Sequence, residues 1–144
     1  MNTNFEISAR AGVGPILFGM GRDDVRNLLG EPGWVKTHRE EYLQGFIVHY
    51  DVAQSVEFIE LANSELFNAT FHGTNLHKTI AEEALSFVCQ FSTFDDADTE
   101  LGYSYIFPFL ELSLWRSVIP ESSQDPDGKY FEAIGVGKAG YYSA

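Results

Sequence analysis

Short stretches in which apolar and polar residues alternate recur along the whole chain. A period of two places successive side chains on opposite faces of a strand, so these stretches predict half-buried β-strands. Within residues 45–50, for example, Phe46, Val48 and Tyr50 fall on one face and His49 falls on the other. The strands predicted in this way span residues 5–9, 34–42, 45–50, 55–61, 69–72, 103–107, 109–115 and 129–136.

Two segments instead repeat apolar residues every three to four positions, which is the helical period. Residues 22–29 place Val25, Leu28 and Leu29 on one stripe, and Gly30 follows where a helix end favours glycine. Residues 76–90 predict a second helix that is capped by Thr74 or Asn75. Its apolar positions are Leu76, Ile80, Ala84, Leu85, Val88 and Phe91.

Two short helices among many strands predict an α+β domain. We expect a mostly antiparallel β-sheet of about six to seven strands, with the two helices on one face. Short turns between consecutive strands favour meander connections. No repeat or linker interrupts the 144 residues, of which 44% are hydrophobic, so we expect one domain over residues 1–144.

The glycine-rich segment before the first helix does not match a nucleotide-binding loop. Gly14 and Gly19 have P-loop spacing, but Met20 and Gly21 stand where a lysine and a hydroxyl residue are required. Asp23 and Asp24 in the first helical turn would repel a phosphate. The segment is therefore interpreted as a turn that leads into a helix.

The net charge of −12 is confined to the middle of the chain. Residues 40–115 contain thirteen acidic residues and one basic residue, Lys78, whereas acids and bases balance in the two ends. Such a field opposes binding to nucleic acid and to anionic membranes, and it favours a basic protein partner. The alternative is that an acidic surface only keeps the protein soluble.

No residue pattern predicts a catalytic or metal site. The four histidines form no zinc-binding spacing, and no G-x-S-x-G nucleophile elbow occurs. The single cysteine, Cys89, is interpreted as a small buried residue of the second helix. We therefore expect no enzyme, no cofactor and no metal; the alternative is a small metal-dependent or acid/base enzyme with a site assembled from His49, Asp51 and His72.

The most acidic segment is a predicted loop at residues 92–101, which holds four acids and no base. Carboxylates beside aromatic side chains are typical of protein interfaces, because aromatics supply buried area and acids complement a basic partner. A solvated loop is the alternative. The expected partner-binding residues are Asp95, Asp96, Asp98 and Glu100, with Phe94, Glu40 and Glu41 as secondary contacts.

Three segments resemble a known family. VGPILFGMGRDDVRNLLGEP (residues 13–32) is similar to the opening G-P-I-x-[FL]-G-M-[ST]-x-x-[ED]-V-[RK]-x-x-L-G-x-P motif of small bacterial cytosolic proteins, many of which are immunity proteins of polymorphic toxin and contact-dependent growth inhibition systems. FPFLELSLWR (residues 107–116) and YFEAIGVGKAGYY (residues 130–142) resemble their late strand and closing motif. The helix-starting element also resembles that of outer-membrane assembly lipoproteins, but the basic, apolar start and lipidated cysteine of those proteins are not found here.

The resemblance implies a cytoplasmic protein that binds and neutralises the C-terminal domain of a cognate toxin. Many such toxins are nucleases with basic clefts, which an acidic face could occlude. The partner is then a basic protein, with neither nucleic acid nor membrane involved. A structural or adaptor domain remains a third hypothesis.

Overall fold

The computed structural model describes residues 3–142. It is an α+β structure with two helices and two mostly antiparallel sheets, which confirms the predicted class. The elements in chain order are β1 (Thr3–Ser8), β2 (Gly12–Val13), β3 (Ile16–Leu17), α1 (Arg22–Leu29), β4 (Trp34–Val35), β5 (Arg39–Tyr42), β6 (Phe46–Tyr50), β7 (Val56–Ala62), β8 (Phe67–Phe71), β9 (Thr74–Asn75), α2 (Ala81–Cys89), β10 (Ser104–Phe107), β11 (Leu112–Trp115) and β12 (Ala133–Gly137).

The larger sheet has seven antiparallel strands in the order β10-β11-β12-β7-β6-β5-β4. Its alternating side chains divide into two faces. The inner face carries buried residues such as Val48, Ile59 and Leu114. The opposite face, which we call the open face, presents the row of register partners Trp34, Glu41, Ile47, Glu60, Gly135, Ser113 and Ile106.

Both helices and the smaller sheet pack on the inner face. The five-stranded sheet has the order β3-β2-β1-β8-β9, and its central pair, β1 and β8, is parallel. Phe5 of β1 and Phe67 of β8 meet Phe46 of the larger sheet, with ring centroids 5.3 and 5.7 Å from that of Phe46. Val25 of α1 and Val88 of α2 are fully buried in the same core.

The meander prediction holds within β1–β3, β4–β7, β8–β9 and β10–β12, where consecutive strands are antiparallel neighbours. The two exceptions are the pairing of β12 with β7 and the pairing of β8 with β1 from the start of the chain. Both exceptions join strands that are distant in sequence, and the hydrophobic pattern of a strand does not specify which partner it will pair with.

Several predicted boundaries are wrong. The second helix begins at Ala81 rather than at residue 76, because Thr74 and Asn75 pair with β8 as a short strand and Asn75 Oδ1 accepts hydrogen bonds from the next turn. Leu28, predicted on the buried stripe of α1, is 49% exposed. Cys89 is exposed rather than buried, since the buried stripe of α2 is Ala81, Ala84 and Val88.

The C-terminal half also differs in detail. β11 begins at Leu112 instead of residue 109, because residues 108–111 form a turn. In this turn Glu111 has a positive φ of 53° and Phe109 is 70% exposed. The last strand starts at Ala133 instead of residue 129. The final residues 143–144 of the predicted tail lie outside the described residues. No helix in the described part of the chain is long and apolar enough to cross a membrane.

Candidate partner-binding surface

The acidic loop predicted from the sequence connects α2 to β10 and is held by its own carboxylates. Asp95 Oδ1 accepts a hydrogen bond from Ala97 N at 3.0 Å, and Asp98 Oδ1 accepts one from Glu100 N at 2.9 Å. These bonds form local turns of the kind that aspartate favours. Asp95, Asp96 and Glu100 are exposed and Asp98 is half-buried. Asp96 and Glu100 are the loop acids whose carboxylates do not form these turns.

Phe94 anchors this loop rather than projecting from it. Its ring contacts Tyr105 and Phe107 edge-on, with centroids 5.1 and 5.9 Å away, and it packs against the core. The Asp95 amide donates to the Ile106 carbonyl at 2.8 Å, which also ties the loop to the edge strand β10. Phe94 therefore supports the acidic loop and is only partly accessible.

A buried arginine joins three acidic segments of the chain. Arg116 is 5% exposed, and its guanidinium donates to the carbonyls of Gly102 and Gly128 at 2.8 and 2.9 Å. It also pairs with the Glu82 carboxylate at 3.4 Å. Because a buried guanidinium is costly unless its donors are used, these contacts fix the acidic loop, the loop before β12 and the start of α2 against one another.

We call this assembled surface the acidic end, defined as residues 92–103, residues 116–130 and the first turn of α2. It holds nine acidic residues and two basic residues, of which Arg116 is buried. Apolar side chains are exposed between the acids, among them Tyr103, Val118 and Ile119 at about 40% each. A cavity of about 470 Å³ lies between α2 and residues 120–129, and its charged lining residues are Glu82, Glu83, Asp125 and Lys129.

Glu40 is not a surface contact, which corrects the sequence prediction. It is 0% exposed and lies on the inner face of β5, where Arg22 and Arg26 of α1 both form ion pairs with its Oε2 atom. Its Oε1 atom accepts hydrogen bonds from the hydroxyls of Tyr42 and Tyr50 at 2.8 and 3.1 Å. We therefore withdraw Glu40 from the expected partner-binding residues.

The Glu40 cluster docks α1 on the larger sheet. Burial by itself opposes ionisation of Glu40, but hydrogen bonds from Arg26, Tyr42 and Tyr50 outweigh it, so its pKa lies below the usual value. Burial and the hydrogen bond to Glu40 raise the pKa of Tyr42 to about 12. Arg22 further stacks over the Tyr50 ring, 4.6 Å from its centroid.

Glu41 lies on the open face, far from the acidic loop. Its neighbour across the ladder is Trp34 of the edge strand β4, whereas the loop adjoins the other edge strand, β10. Six strand spacings separate these two edges, a distance of about 29 Å. The structure thus groups Asp95, Asp96, Asp98 and Glu100 and places Glu41 at the opposite side of the sheet.

The residues of the alternative enzyme site do not all meet. His49 and Asp51 line one shallow cavity, with His38 and Glu57, whereas His72 stacks on Phe91 at a centroid distance of 4.1 Å. Burial and the nearby Arg39 lower the pKa of His49 to about 4. Among residues 3–142, no group of three or more histidine, cysteine, aspartate or glutamate side chains is placed to hold a metal ion.

The C-terminal tail covers part of the open face, which the sequence prediction missed. Tyr141 stacks on Phe58 with ring centroids 4.6 Å apart, and the Tyr142 hydroxyl lies 2.8 Å from Ser113 Oγ. A methyl group on Gly137 would lie 2.7 Å from Tyr141 Cβ, and one on Gly135 would lie 2.8 Å from the Tyr142 hydroxyl. Gly135 and Gly137, a few residues before the tyrosine pair, are the sequence signal that could have revealed this contact.

Comparison of the chain with protein-family models, with curated proteins and with solved structures gives no significant match.

Proposed function

We propose that this protein is a cytoplasmic immunity protein that binds and neutralises the catalytic domain of a cognate toxin. The proposed target is a basic nuclease domain, and inhibition would follow from covering its active site or its substrate-binding surface. The observation that carries the proposal is the acidic end, which holds nine acidic residues together with exposed apolar side chains. Carboxylates and apolar side chains on one surface complement a basic cleft that is built to hold phosphates.

The rigidity of this surface supports a binding role. Arg116, Asp95 and Asp98 hold the backbone of the loops through hydrogen bonds, so little conformational entropy is lost when a partner binds. Concentrated negative potential also steers a basic partner and accelerates association. The resemblance of residues 13–32 to the immunity proteins supports the same conclusion.

The test is co-expression with the C-terminal domain of the large secreted protein that we expect to be encoded immediately upstream. We expect the toxin domain to arrest growth when expressed alone, and to be harmless and to co-purify as a 1:1 complex when this protein is present. Continued growth arrest in the presence of the folded protein, with no complex, would refute the proposal.

Charge reversal locates the contact surface. Asp96→Lys combined with Glu100→Lys changes two exposed loop carboxylates and leaves the turn-forming Asp95 and Asp98 intact. We expect toxin association to slow about tenfold at low salt. Asp23→Lys in the first turn of α1, combined with Glu31→Lys just after this helix, makes the same change in net charge outside the acidic end and serves as the control. Equal rates for the two double variants would exclude this surface as the contact.

A further inference from the structure

The open face contains a trough beside the acidic end. The trough has a volume of about 370 Å³ and runs over β12, whose side chains on this face are only Ala133 and Gly135. On one side stands Trp115 of β11, which is 43% exposed, and on the other stands Glu60 of β7. The two flanking strands are two strand spacings apart, about 10 Å, which leaves room for one extended side chain.

At Gly135 there is no room for a side chain, because Ser113, Phe58 and the Tyr142 hydroxyl already pack over it. A methyl group on Gly135 would lie 2.5 Å from Ser113 Oγ and 2.6 Å from the Phe58 ring. The floor is therefore set by backbone and by the small side chains of Ala133 and Ser113. Phe58 closes one end of the trough, where the tail tyrosines Tyr141 and Tyr142 pack against it.

Glu60 is a partly buried carboxylate that has no hydrogen-bond or ion-pair partner among residues 3–142. Its ladder neighbours on the open face are Ile47 and Gly135, and neither supplies a positive charge. The trough therefore has a partly buried carboxylate, Glu60, on one side and the indole of Trp115 on the other. These groups would bind a side chain that has an aliphatic stem and a positively charged end. The stem would lie on Ala133, and the cation would contact the Trp115 face and the Glu60 carboxylate.

We infer that this trough is a socket for one arginine or lysine side chain of the partner protein. The inference rests on the proposed function for the identity of that protein, a basic toxin domain. The position supports it, because β11 continues directly from Trp115 into Arg116, and the Arg116 amide donates to the Tyr103 carbonyl of the acidic loop at 2.8 Å. One partner could therefore contact the acidic loop and fill the trough together.

A short arginine peptide tests the socket without the toxin. In a Trp34→Phe background, fluorescence reports on Trp115 alone among the two tryptophans. We expect acetyl-tetraarginine amide to change this emission in a saturable manner, and the tetracitrulline analogue, which lacks the charge, to have no such effect. Glu60→Gln should weaken the peptide affinity about tenfold. Glu65→Gln, an exposed acid outside the trough, is the matched control and should bind as the parent protein does.

A second variant fills the space and keeps the charge. Ala133→Leu should abolish the response of Trp115 to the peptide, because its side chain would occupy the floor. An unchanged response in both Glu60→Gln and Ala133→Leu would overturn the socket.

The toxin domain then separates this inference from the proposed function. Toxin binding that is weakened about tenfold by Glu60→Gln supports both. Full-strength binding by Glu60→Gln and Ala133→Leu refutes the socket and leaves the immunity function standing. A specific response to the arginine peptide without any toxin binding supports the socket and refutes the immunity function.

Discussion

We expect Glu40→Gln to destabilise the protein much more than Glu41→Gln, which makes the same change at the other carboxylate of β5. The introduced amide would keep a hydrogen-bond acceptor for Tyr42 and Tyr50, but it would remove the counter-ion of Arg22 and Arg26. Loss of one partner from a buried ion pair costs about 3–5 kcal/mol. The Arg22 and Arg26 side chains are 20% and 35% exposed, so water offsets part of the loss. The expected cost is therefore about 3 kcal/mol, at the lower end of that range.

Urea denaturation measures this cost directly. A change of about 3 kcal/mol is a large part of the total stability of such a domain and should lower the melting temperature by about 10 °C. The control is Glu41→Gln, one residue further along β5, whose side chain points to the open face and should change stability by less than about 0.5 kcal/mol. The urea m-value should stay unchanged, since the folded structure remains the same.

A double-mutant cycle identifies the interaction. Arg26→Met should destabilise the wild-type protein but cost clearly less in the Glu40→Gln background, because the charge pair is already absent. The reasoning is refuted if Glu40→Gln matches Glu41→Gln in stability, or if the Arg26 and Glu40 substitutions are additive. The first result would mean that the buried charge of Glu40 does not stabilise the docking of α1, and the second that Arg26 is not the residue through which it acts.

The remaining predictions concern pH and the C-terminal tail. His77 is 3% exposed, its Nε2 lies 2.9 Å from the Leu61 carbonyl oxygen, and burial lowers its pKa to about 4. The unfolded chain therefore binds more protons than the folded chain between about pH 4 and 6.5. The contribution of neutral, buried His77 to stability is complete above this range and is lost as the pH falls through it. This loss should reach about 2 kcal/mol at pH 5. The urea midpoint should therefore change less between pH 7.5 and pH 5 for His77→Gln than for the wild type. An equal change in the two proteins would show that His77 is not the group responsible. Gly137→Ala should displace the tail from Phe58 and accelerate chymotrypsin cleavage after Tyr141, whereas Gly33→Ala, where a methyl group meets only an ordinary contact at 3.7 Å, should not. Equal cleavage rates for the two glycine variants would mean that the close approach at Gly137 does not hold the tail.

The carboxylate pair Glu40 and Glu41 shows both the reach and the limit of local patterns. Alternation on a strand correctly implied that the two side chains point in opposite directions. It did not reveal that Glu40 points inward, because a glutamate in a strand is normally solvated and is buried only with partners. Those partners are Arg22 and Arg26, 18 and 14 residues away on a helix.

The acidic surface shows the same division between local pattern and long-range contact. Charge and turn-forming residues located the loop at residues 92–101, since both are properties of the local sequence. The role of Arg116 in joining that loop to α2 and to residues 116–130 depends on contacts across the chain. The trough between Trp115 and Glu60 likewise exists only because β12 is inserted between β11 and β7.

The sequence by itself determined the α+β class, the position of α1, most strand segments and the confinement of net charge to the middle of the chain. These properties follow from side-chain periodicity, capping and composition, which act over a few residues. Only the tertiary structure decided the order of strands in two sheets, the burial of Glu40 and the composition of the open face. Those features depend on which distant strands pair, and a strand's alternation is equally compatible with many partners.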